Sequence, residues 1–335
     1  FSKSWLAHAE NFVEKMQARF GLTNASHIVE IASNDGYLLQ YVQERGIPCL
    51  GIEPTKSTAA ASREKGIDTL EEFFGVELAE RLAAEGKQAD LTAANNVLAH
   101  VPDINDFVRG FSLLLKPSGV ASFEFPHLMQ LVTHGQFDTI YHEHYSYLSL
   151  TAVSHIFAAN GLTVFDVEEL PTHGGSLRVY ACRADTEAHK VQDSVSALLA
   201  REKAAGMQTA AYYAGFQDKA DKIKNDFLEF LLFAKREGKT VAGYGAAAKG
   251  NTLLNYAGIR PDLLPFVVDM NPAKQNKFLP GSRIPILPPA AIEERKPDYV
   301  IILPWNLRTE IAEQLAYIRS WDGQFVTAVP ELEAA

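Results

Sequence analysis

The run His27-Ile28-Val29-Glu30-Ile31-Ala32 is short and β-rich, and the small polar turn Ser33-Asn34-Asp35-Gly36 follows it at once. Tyr37 to Arg45 is then helical in pattern, and Cys49-Leu50-Gly51-Ile52-Glu53 is a second β-rich run that ends in an acid. Strand, tight turn, helix and strand open a βαβ unit, which commits the chain to an α/β architecture. An acid at the end of the second strand can accept hydrogen bonds from both hydroxyls of a ribose, so Glu53 is a candidate for holding an adenosyl ligand. Ahead of this unit, Trp5, Phe12, Val13, Met16 and Phe20 recur at helical spacing, and Ser4 to Phe20 reads as a packing helix.

The turn departs from the dinucleotide fingerprint. Gly36 is its only glycine, and the Gly-x-Gly-x-x-Gly that admits a pyrophosphate is absent. A ligand without phosphates, such as S-adenosylmethionine (SAM), needs only room for a methionyl tail and an acid for the ribose. Glu30 to Gly36 resembles the first motif of class I SAM-dependent methyltransferases, acid-x-Gly-x-x-x-Gly, with Ala32 at the place of the first glycine. Further landmarks follow in order. Ala89 to Asn96 is a fourth-strand candidate, and Leu98-Ala99-His100-Val101-Pro102-Asp103 resembles the turn such enzymes place beside the transferred methyl. Leu114-Leu115-Lys116-Pro117-Ser118-Gly119 then leads into a fifth strand, Val120 to Pro126. This resemblance adds Glu30, Ala32, Ser33, Asn34, Gly36, Asn95 and Asn96 to Glu53 as the expected cofactor-binding set.

Chemistry concentrates in Tyr141-His142-Glu143-His144-Tyr145-Ser146-Tyr147, which supplies two imidazoles, a carboxylate, three phenols and a hydroxyl. Imidazole titrates nearest neutrality, and a carboxylate or phenol beside it can fix its tautomer and stabilise the charge it gains. A surface loop is the bland alternative, but this composition is poor for solvating a turn. A metal at His142 and His144, completed by Glu143 or His155, is a further alternative; no His-Glu-x-x-His supports it. Next, Thr151 to Asn160 reads as a helix with Thr151 as N-cap and Gly161 as its stop. Leu162 to Val167 and Ser176 to Cys182 read as paired strands. Between them, Gly174 and Gly175 beside His173 suit either backbone approach to a ligand or a plain turn, and Arg178 is placed to meet a phosphate or to lie exposed.

Asp185 to Gly238 reads as connecting helices without chemistry. A second α/β unit begins at Thr240. Gly243-x-Gly245-x-x-Ala248 matches the relaxed dinucleotide fingerprint, and Pro265-Phe266-Val267-Val268-Asp269 is a strand ending in an acid. Taken alone, that pattern describes an NAD-dependent oxidoreductase. The other reading uses the free N–H groups of a helix start, with Lys249, to hold the diphosphate of a nucleotide-linked substrate. Tyr299 to Asn306 is a late strand and turn of the same unit, and Asn306 is expected in the same cleft.

Together these motifs resemble the sugar C-methyltransferases that act on dTDP-4-keto-deoxysugars. The resemblance rests on Ser33-Asn34-Asp35-Gly36, Tyr141 to His144, His173-Gly174-Gly175-Ser176-Leu177-Arg178 and Gly243 to Asn255. It implies a class I Rossmann-like SAM methyltransferase domain over 1–184, a helical connector over 185–238 and a second Rossmann-like domain over 239–335 that does not use NAD. It implies His144 as general base with Tyr141 and Glu143 beside it, and His100 and Lys249 on the nucleotide sugar. His142, His173, Arg178 and Asn306 complete the expected substrate set. Such proteins carry a Cys-rich zinc module first; this chain has only Cys49 and Cys182, so zinc is expected only in a module upstream of Phe1, and no metal within these residues. No residue pattern separates one deoxysugar from another or sets an oligomeric state.

Composition agrees with this reading and narrows it. The formal net charge is −10 and no Lys/Arg-rich run appears, which argues against a nucleic-acid partner. No apolar run reaches the roughly 20 residues that span a bilayer, and two cysteines cannot form a disulfide framework, so a cytoplasmic protein is expected. A non-catalytic binding module is the remaining alternative.

Overall fold

A computed structural model describes residues 2–186 and 188–334; Phe1, Glu187 in the expected connector, and Ala335 lie outside them. The chain forms two compact units. One runs up to Leu128 and resumes over Glu143–Ala205; the other comprises Met129–His142 and the chain from Gly206 onward.

The first unit is built on seven strands: β1 (Ile28–Ile31), β2 (Cys49–Ile52), β3 (Thr69–Leu70), β4 (Ala89–Asn95), β5 (Leu115–Pro126), β6 (Leu162–Leu170) and β7 (Ser176–Arg183). Their order is β3-β2-β1-β4-β5-β7-β6. Strands β1 to β5 are parallel, and β7 is inserted antiparallel to both β5 and β6. Alternation along β1 sends Val29 and Ile31 into one hydrophobic cluster with Leu50, Phe111 and Phe123, and Ile28 into another with Leu91 and Tyr180. The second cluster is closed by the helix Lys3–Phe20, which contributes Ala9, Phe12, Val13 and Met16. Ser2 caps that helix by accepting the Trp5 N–H, and Gly21 ends it in the left-handed region. The expected packing helix is present.

The second unit carries β8 (Val241–Tyr244), β9 (Val267–Val268), β10 (Lys277–Phe278), β11 (Pro285–Leu287), β12 (Tyr299–Ile302), β13 (Gln324–Thr327) and β14 (Glu333–Ala334). Five of these are parallel in the order β11-β9-β8-β12-β13, with β10 and β14 antiparallel at the two edges. The first strand of the unit thus lies at its centre, the doubly wound arrangement expected from Thr240 onward.

The region expected as one connector is shared between the units. Helix Asp193–Ala204 buries Val195 and Leu198 in the first core, whereas helix Phe216–Arg236 buries Ile223, Phe227 and Leu231 in the second. Among the described residues no helix is long and apolar enough to cross a membrane.

One buried carboxylate in that shared region organises the segment that bears the histidine cluster. His127 follows β5 directly, pairs with Leu148 in an isolated bridge and directs Nε2 at Glu202 Oε1, 2.8 Å away. The same oxygen accepts the Leu150 N–H at 2.7 Å, while Glu202 Oε2 accepts the Thr151 N–H at 2.8 Å and its hydroxyl at 2.6 Å. These are the first N–H groups of helix Leu150–Ala159, so Glu202 also sits where a helix start favours negative charge. Here the structure corrects one expectation: the N-cap is Ser149, whose hydroxyl accepts the Ala152 N–H, and Thr151 bonds to Glu202 instead. Burial pushes the Glu202 carboxyl up, but the bonds from His127, Thr151 and Leu150 outweigh it and hold the group below the usual carboxylate range.

Glu202→Ala leaves His127 and two helix N–H groups without their acceptor, so a loss of roughly 3–5 kcal/mol is expected in denaturant unfolding. The folded-state pKa is depressed, so the carboxylate's contribution is complete above its unfolded value. It fades as pH falls through the lower folded value, and wild type should lose more stability on acidification than Glu202→Gln.

Candidate active site

The turn after β1 is wound left-handed at three positions, Ala32 (φ 59°), Asn34 (φ 52°) and Gly36 (φ 75°). Ser33 N–H reaches across to the Ile52 carbonyl at 3.1 Å, which ties the turn to the end of β2. A side chain at Gly36 would run into Ile67 Cδ1, so both conformation and space demand glycine there. Ala32 takes the same left-handed conformation without that freedom, which accounts for the glycine usual at this position in the first methyltransferase motif. Glu53, one residue beyond β2, accepts the Asn34 N–H at 3.1 Å on one oxygen and the Thr55 N–H at 2.8 Å on the other. Each oxygen keeps acceptor capacity for a ribose hydroxyl.

Around this turn and the end of β4, polar atoms are buried without partners: Glu30 Oε2, Ser33 Oγ, Asn95 Oδ1, and both side-chain ends of Asn96. Each orphaned group costs about 1–3 kcal/mol, and native interiors hold few of them. Their gathering at the carboxyl ends of β1 and β4 marks the place where a doubly wound sheet binds its ligand. Burial raises the Glu30 carboxyl well above the usual range, helped by the charges of Asp35 and Glu53.

The short helical turn Leu98–His100 follows β4, and the returning histidine segment docks on it: Tyr145 and Ser146 N–H groups both point at the Ala99 carbonyl, at 2.8 and 3.3 Å. This brings His144 edge-on to His100, ring centroids 4.7 Å apart at 73°, with the Tyr147 ring 6.0 Å from His144 at 82°. His144 is half-buried, while His142 and Glu143 are exposed in a turn. Burial lowers the His100 pKa, against the pull of the Glu143 carboxylate and a backbone hydrogen bond to Glu143. Glu143 thus acts on His100. Tyr141 and His142 belong to the second unit, since the division falls between His142 and Glu143.

One expected substrate contact falls elsewhere. Arg178 is buried, with Nη2 2.9 Å from Glu124 Oε2 and 3.1 Å from His8 Nε2, and its guanidinium lies over Phe12. The fully buried Glu124 also takes the Thr172 hydroxyl at 2.9 Å. Arg178 is therefore an internal counter-ion of the sheet rather than a phosphate ligand, because β7 is interior and its charge had to be paired. His173 sits in the left-handed region (φ 54°), with its ring 5.3 Å from that of Trp5.

In the second unit Lys249 opens helix Ala248–Tyr256, its Nζ 3.2 Å from Asn306 Oδ1 and 4.6 Å from the centroid of the Trp305 ring. Lys249 and Asn306 are brought together as expected. Sequence reading missed Trp305 and Asp138: the indole N–H donates to the buried Asp138 Oδ2 at 2.7 Å. The dinucleotide pattern serves a different end here. A side chain on Gly245 would meet Pro304 Cδ at 2.5 Å, so the room its missing side chain leaves is filled by protein instead of by a pyrophosphate. At the acid of the pattern, Asp269 accepts the Ala246 N–H at 2.8 Å with the Lys274 ammonium 3.5 Å away. The NAD reading loses its basis at Gly245, where protein stands in the place of the pyrophosphate. Among the described residues no group of three or more His, Cys, Asp or Glu side chains is arranged to hold a metal.

The strand order with its antiparallel β7, and the polar groups stranded at the ends of β1 and β4, define a class I methyltransferase fold. Comparison with known proteins agrees. A "Methyltransferase domain" family model matches residues 6–167, and a "C-methyltransferase C-terminal domain" model matches residues 171–330. The C-methyltransferase NovU of Streptomyces niveus is 35% identical over 328 residues, 98% of this chain and 78% of that protein. The chain belongs to the C-methyltransferase family. The ubiquinone biosynthesis O-methyltransferase of Bordetella avium (strain 197N) is 25% identical over 113 residues, 33% of this chain and 47% of that one. Among solved structures, magnesium protoporphyrin IX methyltransferase from Synechocystis PCC 6803 is similar at 14% identity and a TM-score of 0.40, over 53% of this chain and 79% of that one. The cofactor is S-adenosylmethionine, and the residues fit it: unpartnered donors and acceptors for the methionyl end, and free acceptor capacity at Glu53 for the ribose.

A left-handed L-residue costs about 1–2 kcal/mol, and added glycine freedom in the unfolded chain offsets about 0.5–1 of any gain. Ala32→Gly is therefore expected to keep or raise the thermal midpoint, whereas Gly36→Ala lowers stability by roughly 2 kcal/mol or more through strain and overlap. A clear drop in melting temperature for Ala32→Gly would contradict this account of the turn.

Proposed function

We propose that this C-methyltransferase acts on a nucleotide-linked keto-deoxysugar, a dTDP-keto-deoxysugar by its resemblance, at the carbon beside the ketone. The observation that carries the proposal is the pairing of His144 with His100 at the end of β4, next to a cluster of buried polar groups awaiting a ligand. Glu53 accepts the ribose hydroxyls, while Ser33, Asn34, Asn95 and Asn96, with Glu30 and the backbone at Ala32 and Gly36, receive the methionyl end. When bound, the cofactor supplies a methyl group already activated as a sulfonium.

The chain's own contribution is proton removal and placement. A hydrogen on carbon next to a ketone is acidic enough for imidazole when the oxygen that gains charge is stabilised. The half-buried His144 takes that proton, and the electrons of the C–H bond become those of an enolate whose carbon would form the new bond to methyl as the methyl–sulfur bond breaks, its electron pair staying with the sulfur as a neutral thioether. His100, whose pKa burial lowers, contacts the sugar as a hydrogen-bonding group. The charge of Glu143 opposes the effect of burial on His100. Lys249, with Asn306 beside it at a helix N-terminus, anchors the diphosphate.

His144→Ala and His144→Gln should each lose at least about two orders of magnitude in turnover while cofactor affinity stays near that of wild type. The direct reading is deuterium exchange at the carbon beside the ketone; exchange that survives both substitutions would place the base elsewhere. Lys249→Ala should weaken the sugar nucleotide more than the cofactor, and the reverse order would overturn the role given to the second unit.

A further inference from the structure

The second unit contains a buried acid that nothing in the proposed reaction uses. Asp138 lies in the short turn Phe137–Thr139, which packs on helix Ala248–Tyr256, and only 1% of its surface is exposed. Its Oδ2 accepts the Trp305 indole N–H at 2.7 Å, while Oδ1 is buried with no partner. Burying a carboxylate with one oxygen unsatisfied costs free energy, and a structural role for the turn would be served better by an amide or an apolar residue. The other face of the arrangement shows what the carboxylate does. The indole that it grips carries the Lys249 ammonium, which stands 4.6 Å above the ring centroid and 3.2 Å from Asn306.

We infer that Asp138 is a positioning residue for Lys249, acting through Trp305. A carboxylate bonded to the indole N–H fixes the plane of the ring and pushes electron density toward its face, which strengthens the hold of that face on a cation. The pair is separated by more than an ion-pair distance, so Asp138 biases the ammonium without neutralising it. That leaves the positive charge available to an incoming diphosphate, whereas a directly paired lysine would have to give up its partner first. Burial lowers the Lys249 pKa and raises that of Asp138, and the attraction between the two charges opposes both shifts.

This inference rests on the reading of Lys249 as the diphosphate anchor, and two measurements separate the two ideas. The first is binding of dTDP by calorimetry to the full chain and to Lys249→Ala, Asp138→Asn and Trp305→Phe, with S-adenosylhomocysteine binding and melting temperature as controls. Asp138→Asn keeps an acceptor for the indole and removes the charge; Trp305→Phe keeps a ring and removes the N–H. Each is expected to weaken dTDP about tenfold with cofactor binding unchanged, and the double variant to be no worse than either alone. Additive losses, or dTDP affinity equal to wild type in Asp138→Asn while Lys249→Ala is impaired, would overturn the coupling and leave the anchor intact.

The second measurement needs no ligand: titration of the Lys249 amine, followed by the pH dependence of its acylation by mass spectrometry. Loss of the Asp138 charge should lower the pH at which the amine becomes reactive. An unchanged profile would sink the inference even if Lys249 proved irrelevant to dTDP.

Discussion

Glu202 accepts four hydrogen bonds from groups on both sides of the histidine cluster: the His127 imidazole before it, and the Leu150 N–H, Thr151 N–H and Thr151 hydroxyl after it. Between these anchors the chain passes into the second unit over Met129–His142 and returns at Glu143. An excursion of that length pays loop-closure entropy, which the short helix Leu128–Thr133 and the turn Phe137–Thr139 repay only in part. The buried carboxylate, together with the Leu128 N–H on the Leu148 carbonyl at 2.9 Å, closes the base of the excursion. His144 can therefore sit in a segment without helix or strand and still meet His100 at a defined angle.

The two units share a plan and use it oppositely. In each, a central strand ends in a turn whose N–H is taken by the acid that follows the next strand: Asn34 on Glu53 in the first, Ala246 on Asp269 in the second. In the first unit the surrounding polar side chains are left without partners, which is a stability cost that a ligand recovers. In the second, Pro304 occupies the room beside Gly245, and Lys249 stands at the start of the helix. A glycine pattern thus reports that something approaches closely; here the approaching group is protein.

Much of this was legible in the chain. The βαβ opening, the tight turn Ser33–Gly36, the helix over Lys3–Phe20 and the pairing of β6 with β7 are set by residues only a few positions apart. The His144 cluster stood out because its composition suits chemistry better than solvation. Arg178 was expected on a phosphate or in water, and strand pattern did not tell that its position is interior. Glu202 drew no attention within a polar helical stretch, since a lone acid on a helix normally lies in water. Asp138 carried no motif at all.

The sequence by itself determined the strands, turns and helices, the class of sheet and the residue types available for proton transfer, because each depends on local sterics or on periodicity. Tertiary structure alone decided which of those residues meet. Glu124 with Arg178, Glu202 with His127 and Asp138 with Trp305 are 54, 75 and 167 positions apart in the chain. Such pairs exist only once the sheets have closed and water has been excluded. Burial is what turns an ordinary acid into a clamp or a field, and burial is a property of the whole fold.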